Sequence, residues 1–108
     1  MSNVIVCKRT DLVPLSGVCV KHSEKQIAIF YLPANEPPLF ALDNWDPIGK
    51  ANVMSRGIIG SVGDELVVAS PLYKQHYSLS TGKCLEEDAA LPTYVIAMDG
   101  DDVSIQIN

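Results

Sequence analysis

The sequence predicts an all-β fold, an antiparallel sandwich or small barrel, and three observations carry that prediction. Apolar and β-branched residues recur in short runs with a period of two. Turn-forming residues punctuate those runs at even intervals. No window of a dozen residues keeps an i, i+3, i+4, i+7 apolar face free of Gly and Pro. Strands are expected at residues 4–8, 18–22, 26–32, 39–42, 66–69, 75–79, 94–98 and 103–107. Between them, Leu15-Ser16-Gly17, His22-Ser23-Glu24, residues 34–38, Gly63-Asp64, Thr81-Gly82 and Asp99-Gly100 have turn chemistry. Asp99-Gly100 lies between two apolar runs and predicts a hairpin joining the last two strands. Residues 47–55 have room for one short helical turn. A length of 108 residues fits one domain over 1–108 with one core.

Composition narrows the function classes. The chain is 47% hydrophobic but only 6% aromatic, so Val, Ile and Leu should dominate the core. Thirteen acids against eight scattered bases leave a net charge of −5, which would repel the phosphates of a nucleic acid or anionic membrane. The first nine residues hold no basic segment leading into a long apolar one, so no secretory signal is expected. The longest apolar run, residues 27–33, is far shorter than the roughly 20 residues of a membrane helix. A soluble, cytoplasmic protein is the expectation. Cys7, Cys19 and Cys84 show no CxxC spacing and are odd in number, so they are expected to be small buried side chains, neither a disulfide framework nor a catalytic thiol.

The residues offer little chemistry. Asp99-Gly100-Asp101-Asp102 crowds its acids into a tight turn, where a calcium loop needs alternating oxygen ligands and a distal Glu. Glu86-Glu87-Asp88 is expected to be an exposed acidic loop. Gly57, Gly60 and Gly63 lack the Lys-Ser/Thr pair of a phosphate loop and the βαβ context of a dinucleotide fold, so loops and tight turns are their expected role. Alternation puts Tyr77 and Leu79 on one strand face, and His76, Ser78 and Ser80 on an opposite, solvent-facing side. Two distant histidines without paired cysteines make neither a metal site nor a catalytic set. By these residues alone the chain is a binding or structural module.

One stretch is more specific. Phe40-Ala41-Leu42-Asp43-Asn44-Trp45-Asp46-Pro47-Ile48 resembles the first cluster loop of a Rieske protein, a hydrophobic strand followed by Asn-x-Cys-Pro-His. Val67-Val68-Ala69-Ser70-Pro71-Leu72-Tyr73 resembles the second loop, a strand followed by Cys-Pro-x-His. Tyr77-Ser78-Leu79-Ser80-Thr81-Gly82 matches the hairpin that follows it in that fold. The resemblance implies a Rieske-like antiparallel β-sandwich or small barrel, with the cluster loops kept as a ligand-free subdomain. In this alignment Asp46 and Ile48 stand at the first Cys and His, and Ser70 and Tyr73 at the second pair. A Rieske cluster needs two thiolates and two imidazoles, so the resemblance implies the scaffold without its cluster.

The same loss is seen in the small subunit of assimilatory NADH-dependent nitrite reductase. The segments Asn52-Val53-Met54-Ser55-Arg56-Gly57-Ile58-Ile59-Gly60, Ala69-Ser70-Pro71-Leu72-Tyr73-Lys74-Gln75 and Thr81-Gly82-Lys83-Cys84-Leu85 are similar to that family's own signatures. The resemblance implies a subunit with no catalytic residues, cofactor or metal of its own. Its implied partner is a large subunit carrying FAD, an iron–sulfur cluster and sirohaem, which reduces nitrite to ammonium with NADH. It also implies a docking surface at the former cluster tip, made of Trp45, Asp46, Pro47, Arg56, Tyr73, Lys74 and Gln75. Trp45 and Tyr73 have an alternative role, filling the space the cluster once took. A Rieske-type electron-transfer protein and a stand-alone binding module are the rival functions.

Overall fold

The computed structural model describes residues 2–107 and is built from twelve strands, β1 (Ser2–Lys8), β2 (Ser16–His22), β3 (Lys25–Tyr31), β4 (Leu39–Asp43), β5 (Trp45–Asp46), β6 (Ala51–Asn52), β7 (Ile58–Val62), β8 (Glu65–Ala69), β9 (His76–Ser78), β10 (Thr93–Tyr94), β11 (Ile96–Asp99) and β12 (Asp102–Ile107). Among the described residues the helical elements are two three-residue 3₁₀ turns, Arg9–Asp11 and Met54–Arg56. The second overlaps only the last two residues of the 47–55 segment expected to hold a short helical turn.

All paired strands are antiparallel. They form sheets in the orders β1-β12-β11, β10-β4-β3-β2 and β7-β8-β9, with a small β5-β6 ribbon. The four-stranded sheet is the middle layer, and β3 shows why. Ile27 and Ile29 pack with Leu12, Val20, Leu39, Ala41, Val103 and Ile105 on the side of the β12 sheet. Ala28 and Phe30 pack with Leu42, Met54, Val68, Tyr77, Leu79 and Leu91 on the side of the β7-β8-β9 sheet. All four of these β3 residues are fully buried. A strand covered on both faces is apolar at every position, which is why its run looks continuous where its neighbours alternate. One core was expected; the residues divide into two.

The observed strands correct the sequence expectations at four places. The run at 94–98 is two strands, with β10 in the middle sheet and β11 in the β12 sheet, and the chain changes layer at Val95. β5, β6 and β7 were not expected. β7 takes in Gly60, so that glycine belongs to a strand, while Gly63 sits in the β7–β8 turn at φ +60°. Gly100 takes φ +61° at the first central position of the β11–β12 hairpin, a conformation in which a side chain is strained. Lastly, Ser78 is buried along with Tyr77 and Leu79, because its hydroxyl donates to Glu65 at 2.5 Å instead of meeting solvent.

Cys7 and Cys84 are half-buried free thiols, but Cys19 is exposed on β2, contrary to expectation. Its side chain lies on the face of this edge strand shared with Ala28, near Gln26 and Asn44.

Candidate functional site at the tip

The two loops that resemble cluster loops meet at one end of the molecule. The first leaves β4 through Asn44, a buried side chain that ties three segments together. Its Nδ2 donates to Gln26 Oε1 at 3.1 Å, and its Oδ1 accepts from the Ser55 amide at 2.7 Å. Its own carbonyl accepts from the Met54 amide. The β5-β6 ribbon then closes a turn in which the Lys50 amide donates to the Asp46 carbonyl at 2.7 Å, with Lys50 at φ +58°. The second loop leaves β8 and repeats the construction: the Lys74 amide donates to the Ser70 carbonyl at 3.1 Å, with Lys74 at φ +66°.

At the centre stands a hydrogen-bonded strut. Ser70 Oγ donates to Asp46 Oδ2 at 2.5 Å, joining the two positions where the resemblance puts the cysteines. The other carboxylate oxygen, Oδ1, accepts from the amides of Ile48 and Gly49, each at 2.9 Å, and from the Tyr77 hydroxyl at 3.4 Å. Asp46 and Ser70 are both fully buried. Burial raises the carboxyl's pKa, but the bonds from Gly49, Ser70, Ile48 and Tyr77 outweigh it and hold the group below its ordinary value. A buried carboxylate with this many donors is satisfied as an anion. Gly49 lies where the two loops approach closely. A Cβ on it would stand 2.5 Å from Leu72 Cδ1 in the opposite loop and 2.9 Å from Asp46 Oδ2.

The residues at the four ligand positions do not fit an iron–sulfur cluster. Asp46 and Ser70 are spent on each other, Ile48 has no donor atom and packs against the apolar core, and Tyr73 points outward with 64% of its surface exposed. Nor do the described residues bring three His, Cys, Asp or Glu side chains close enough to hold a metal ion.

The expected surface group divides. Trp45 (44% exposed) and Tyr73 lie at the surface, so neither fills an interior space left by a cluster. Lys74 and Arg56 are exposed and Pro47 is half-buried. Asp46 is the correction. It has no surface to offer, because its carboxylate faces Ser70 and the amides of its own loop. Gln75 is half-buried, its Nε2 donating to Glu87 at 2.7 Å. The acidic 86–88 loop is exposed, as expected, yet it also clamps the second loop. Glu86 accepts from the His76 amide at 2.8 Å and pairs with His76 Nδ1 at 2.6 Å. Those bonds, the amide's first, hold the Glu86 carboxyl below its ordinary range.

Sequence reasoning missed Asn44 and Leu72. Asn44 carried a signal, a polar residue inside the first motif with a structural task in place. Leu72, 44% exposed between Pro71 and Tyr73, carried none.

Fold and tip together define a Rieske-like domain whose two loops are joined by the buried Asp46–Ser70 hydrogen bond, and residues 2–106 match the family of the Rieske-like [2Fe-2S] domain. Within it, the chain belongs to the family of NADH nitrite reductase small subunits. The nitrite reductase (NADH) small subunit of Salmonella typhimurium is 45% identical over 83 residues, covering 77% of this chain and 76% of that one. The solution structure of the nitrite reductase [NAD(P)H] small subunit from Erwinia carotovora superposes with a TM-score of 0.81 at 41% identity, covering all of this chain and 84% of that one. A segment of the nitrite reductase [NAD(P)H] large subunit of Klebsiella oxytoca is 38% identical over 78 residues, which is 72% of this chain and 8% of that protein.

Proposed function

We propose that residues 1–108 act as one domain, the small non-catalytic subunit of a cytoplasmic NADH-dependent nitrite reductase that supplies ammonium in nitrate assimilation. The chain docks through its tip on a large subunit that carries FAD, an iron–sulfur cluster and sirohaem, and it supports that subunit instead of passing electrons itself. The observation that carries this is the Asp46–Ser70 strut, which holds the two loops in place with no ligand for iron. It speaks against the Rieske-type electron-transfer alternative, whose four ligands these residues cannot supply. The Klebsiella match adds support for the partner, since a domain of this kind is there part of a large-subunit chain. Docking falls to Trp45 and Tyr73, residue types enriched at interface hot spots, with Pro47, Lys74, Gln75 and Arg56 around them.

The test is affinity capture of the tagged chain from cells grown on nitrate, with the bound proteins identified by mass spectrometry. Recovery of a flavin- and sirohaem-bearing partner, with nitrite-dependent NADH oxidation in the eluate, is the expected result. A lone, colourless chain would support the stand-alone binding module.

A further inference from the structure

Exposed sheet edges invite pairing with another strand, and folded proteins blunt them with charge, bulges, short length or a covering segment. Five of the edges in the three larger sheets are treated in this way. β1 breaks register between Ile5 and Cys7 and ends on Lys8. β2 carries Lys21, and the Met54–Arg56 turn packs on its face at Gly17. β9 is covered by residues 83–85, whose backbone bonds to His76 and Ser78. β10 is two residues long, and β11 carries Asp99.

β7 is the exception. Ile58-Ile59-Gly60-Ser61-Val62 has five residues with no charge, no Pro and no bulge, and among the described residues its backbone pairs with β8 alone. Ile58 is 70% exposed and Val62 48%. The two-residue β7–β8 turn makes Val62 and Glu65 a hydrogen-bonded pair, so Gly60 and Ile58 also bond inward. The N–H and C=O groups of Ile59 and Ser61 therefore point away from the sheet.

We propose that β7 is a self-association edge, on which a second copy of this chain pairs antiparallel about a two-fold axis at Gly60. The register is dictated by the free groups. Ile59 of one copy faces Ser61 of the other on both sides of the axis, which uses all four outward N–H groups. The Gly60 pair sits at the axis, where nothing lies within 4 Å of its Cβ position. Ile58 meets Val62 of the second copy on the same face. Arg56, exposed and without an ion pair among the described residues, is carried towards the acidic Asp64-Glu65 turn of the other chain. The contact is isologous and closed, so it stops at two copies. A five-residue edge is far smaller than the roughly 800 Å² per partner of a standard interface. The dimer is therefore weak, with a dissociation constant of about 0.1–1 mM. Of the residues assigned to docking at the tip, only Arg56 is drawn into this contact, and Trp45, Pro47, Tyr73, Lys74 and Gln75 are left free.

Sedimentation equilibrium of the full chain across that concentration range tests the proposal. The weight-average mass should rise from 11.7 kDa towards twice that value. Ser61→Pro removes an outward N–H and leaves the β8 bonds intact, so it should stay monomeric with an unchanged circular dichroism spectrum. Arg56→Asp and Asp64→Arg should each weaken the dimer by about tenfold, and the double variant should recover it, a rescue that loss of folding does not produce. A wild-type chain that is monomeric throughout overturns the proposal. So does Ser61→Pro associating like wild type, or a double variant no better than either single one. A monomeric wild type whose capture of the large subunit fails on Ser61→Pro would assign the edge to that partner and equally overturn the dimer.

Discussion

The two loops at the tip follow the same backbone course and spend their side chains differently. Each begins with a buried residue before a proline and closes on a lysine in the left-handed region, whose amide returns to the first residue's carbonyl. The first residues, Asp46 and Ser70, turn towards each other and bond. The residues at the imidazole positions part company: Ile48 packs inward against the core, and Tyr73 stands out in solvent. A cluster holds such loops together through all four ligands. Without it, only the inner pair must still be joined, because only there would an unpaired polar group be buried. The outer pair is released, one position to packing and the other to the surface.

The largest expected effect breaks the inner pair. Asp46→Ala removes the acceptor for Ser70, Tyr77 and two loop amides. It should cost about 3 kcal/mol of stability and lower the melting temperature by about 13 °C. A loss under about 1 kcal/mol would mean that packing, and not the strut, joins the loops.

The outer residues should behave in the opposite way. Trp45→Ala and Tyr73→Ala should each weaken capture of the large subunit by about 2 kcal/mol, roughly thirtyfold. Their melting temperatures should stay within about 3 °C of wild type. A large thermal loss with unchanged affinity would return both side chains to a packing role.

The smallest effect is a pH dependence. The Asp46 carboxyl titrates lower in the folded chain than in the unfolded one, so its contribution is complete above the unfolded value of about 3.9. That contribution drains away as pH falls through the folded value. Acid melts should therefore show wild type losing stability more steeply below about pH 4 than Asp46→Asn. Parallel curves would remove the charge from the account of the strut.

Much of this was legible in advance. Strands β1–β4, β8, β9 and β12 follow runs of apolar or β-branched residues, and the Asp99-Gly100 hairpin follows its turn chemistry. β7 was not legible, because Ile58-Ile59-Gly60-Ser61-Val62 mixes strand formers with a glycine that suits a turn equally well. The sequence left Trp45 and Tyr73 open between surface and interior, placed Lys74 and Arg56 at the exterior, and misplaced Asp46. An aspartate beside a tryptophan in a loop carries no local mark of burial.

By itself the sequence determined the all-β class and the order of the two loops, since periodicity and turn residues are local properties. Only the tertiary structure decided that β3 serves two cores, that Ser78 is inside, and that Asp46 and Ser70 form one buried strut. Each of these depends on what a distant segment presents at the same point in space, and burial and hydrogen-bond partners are set there.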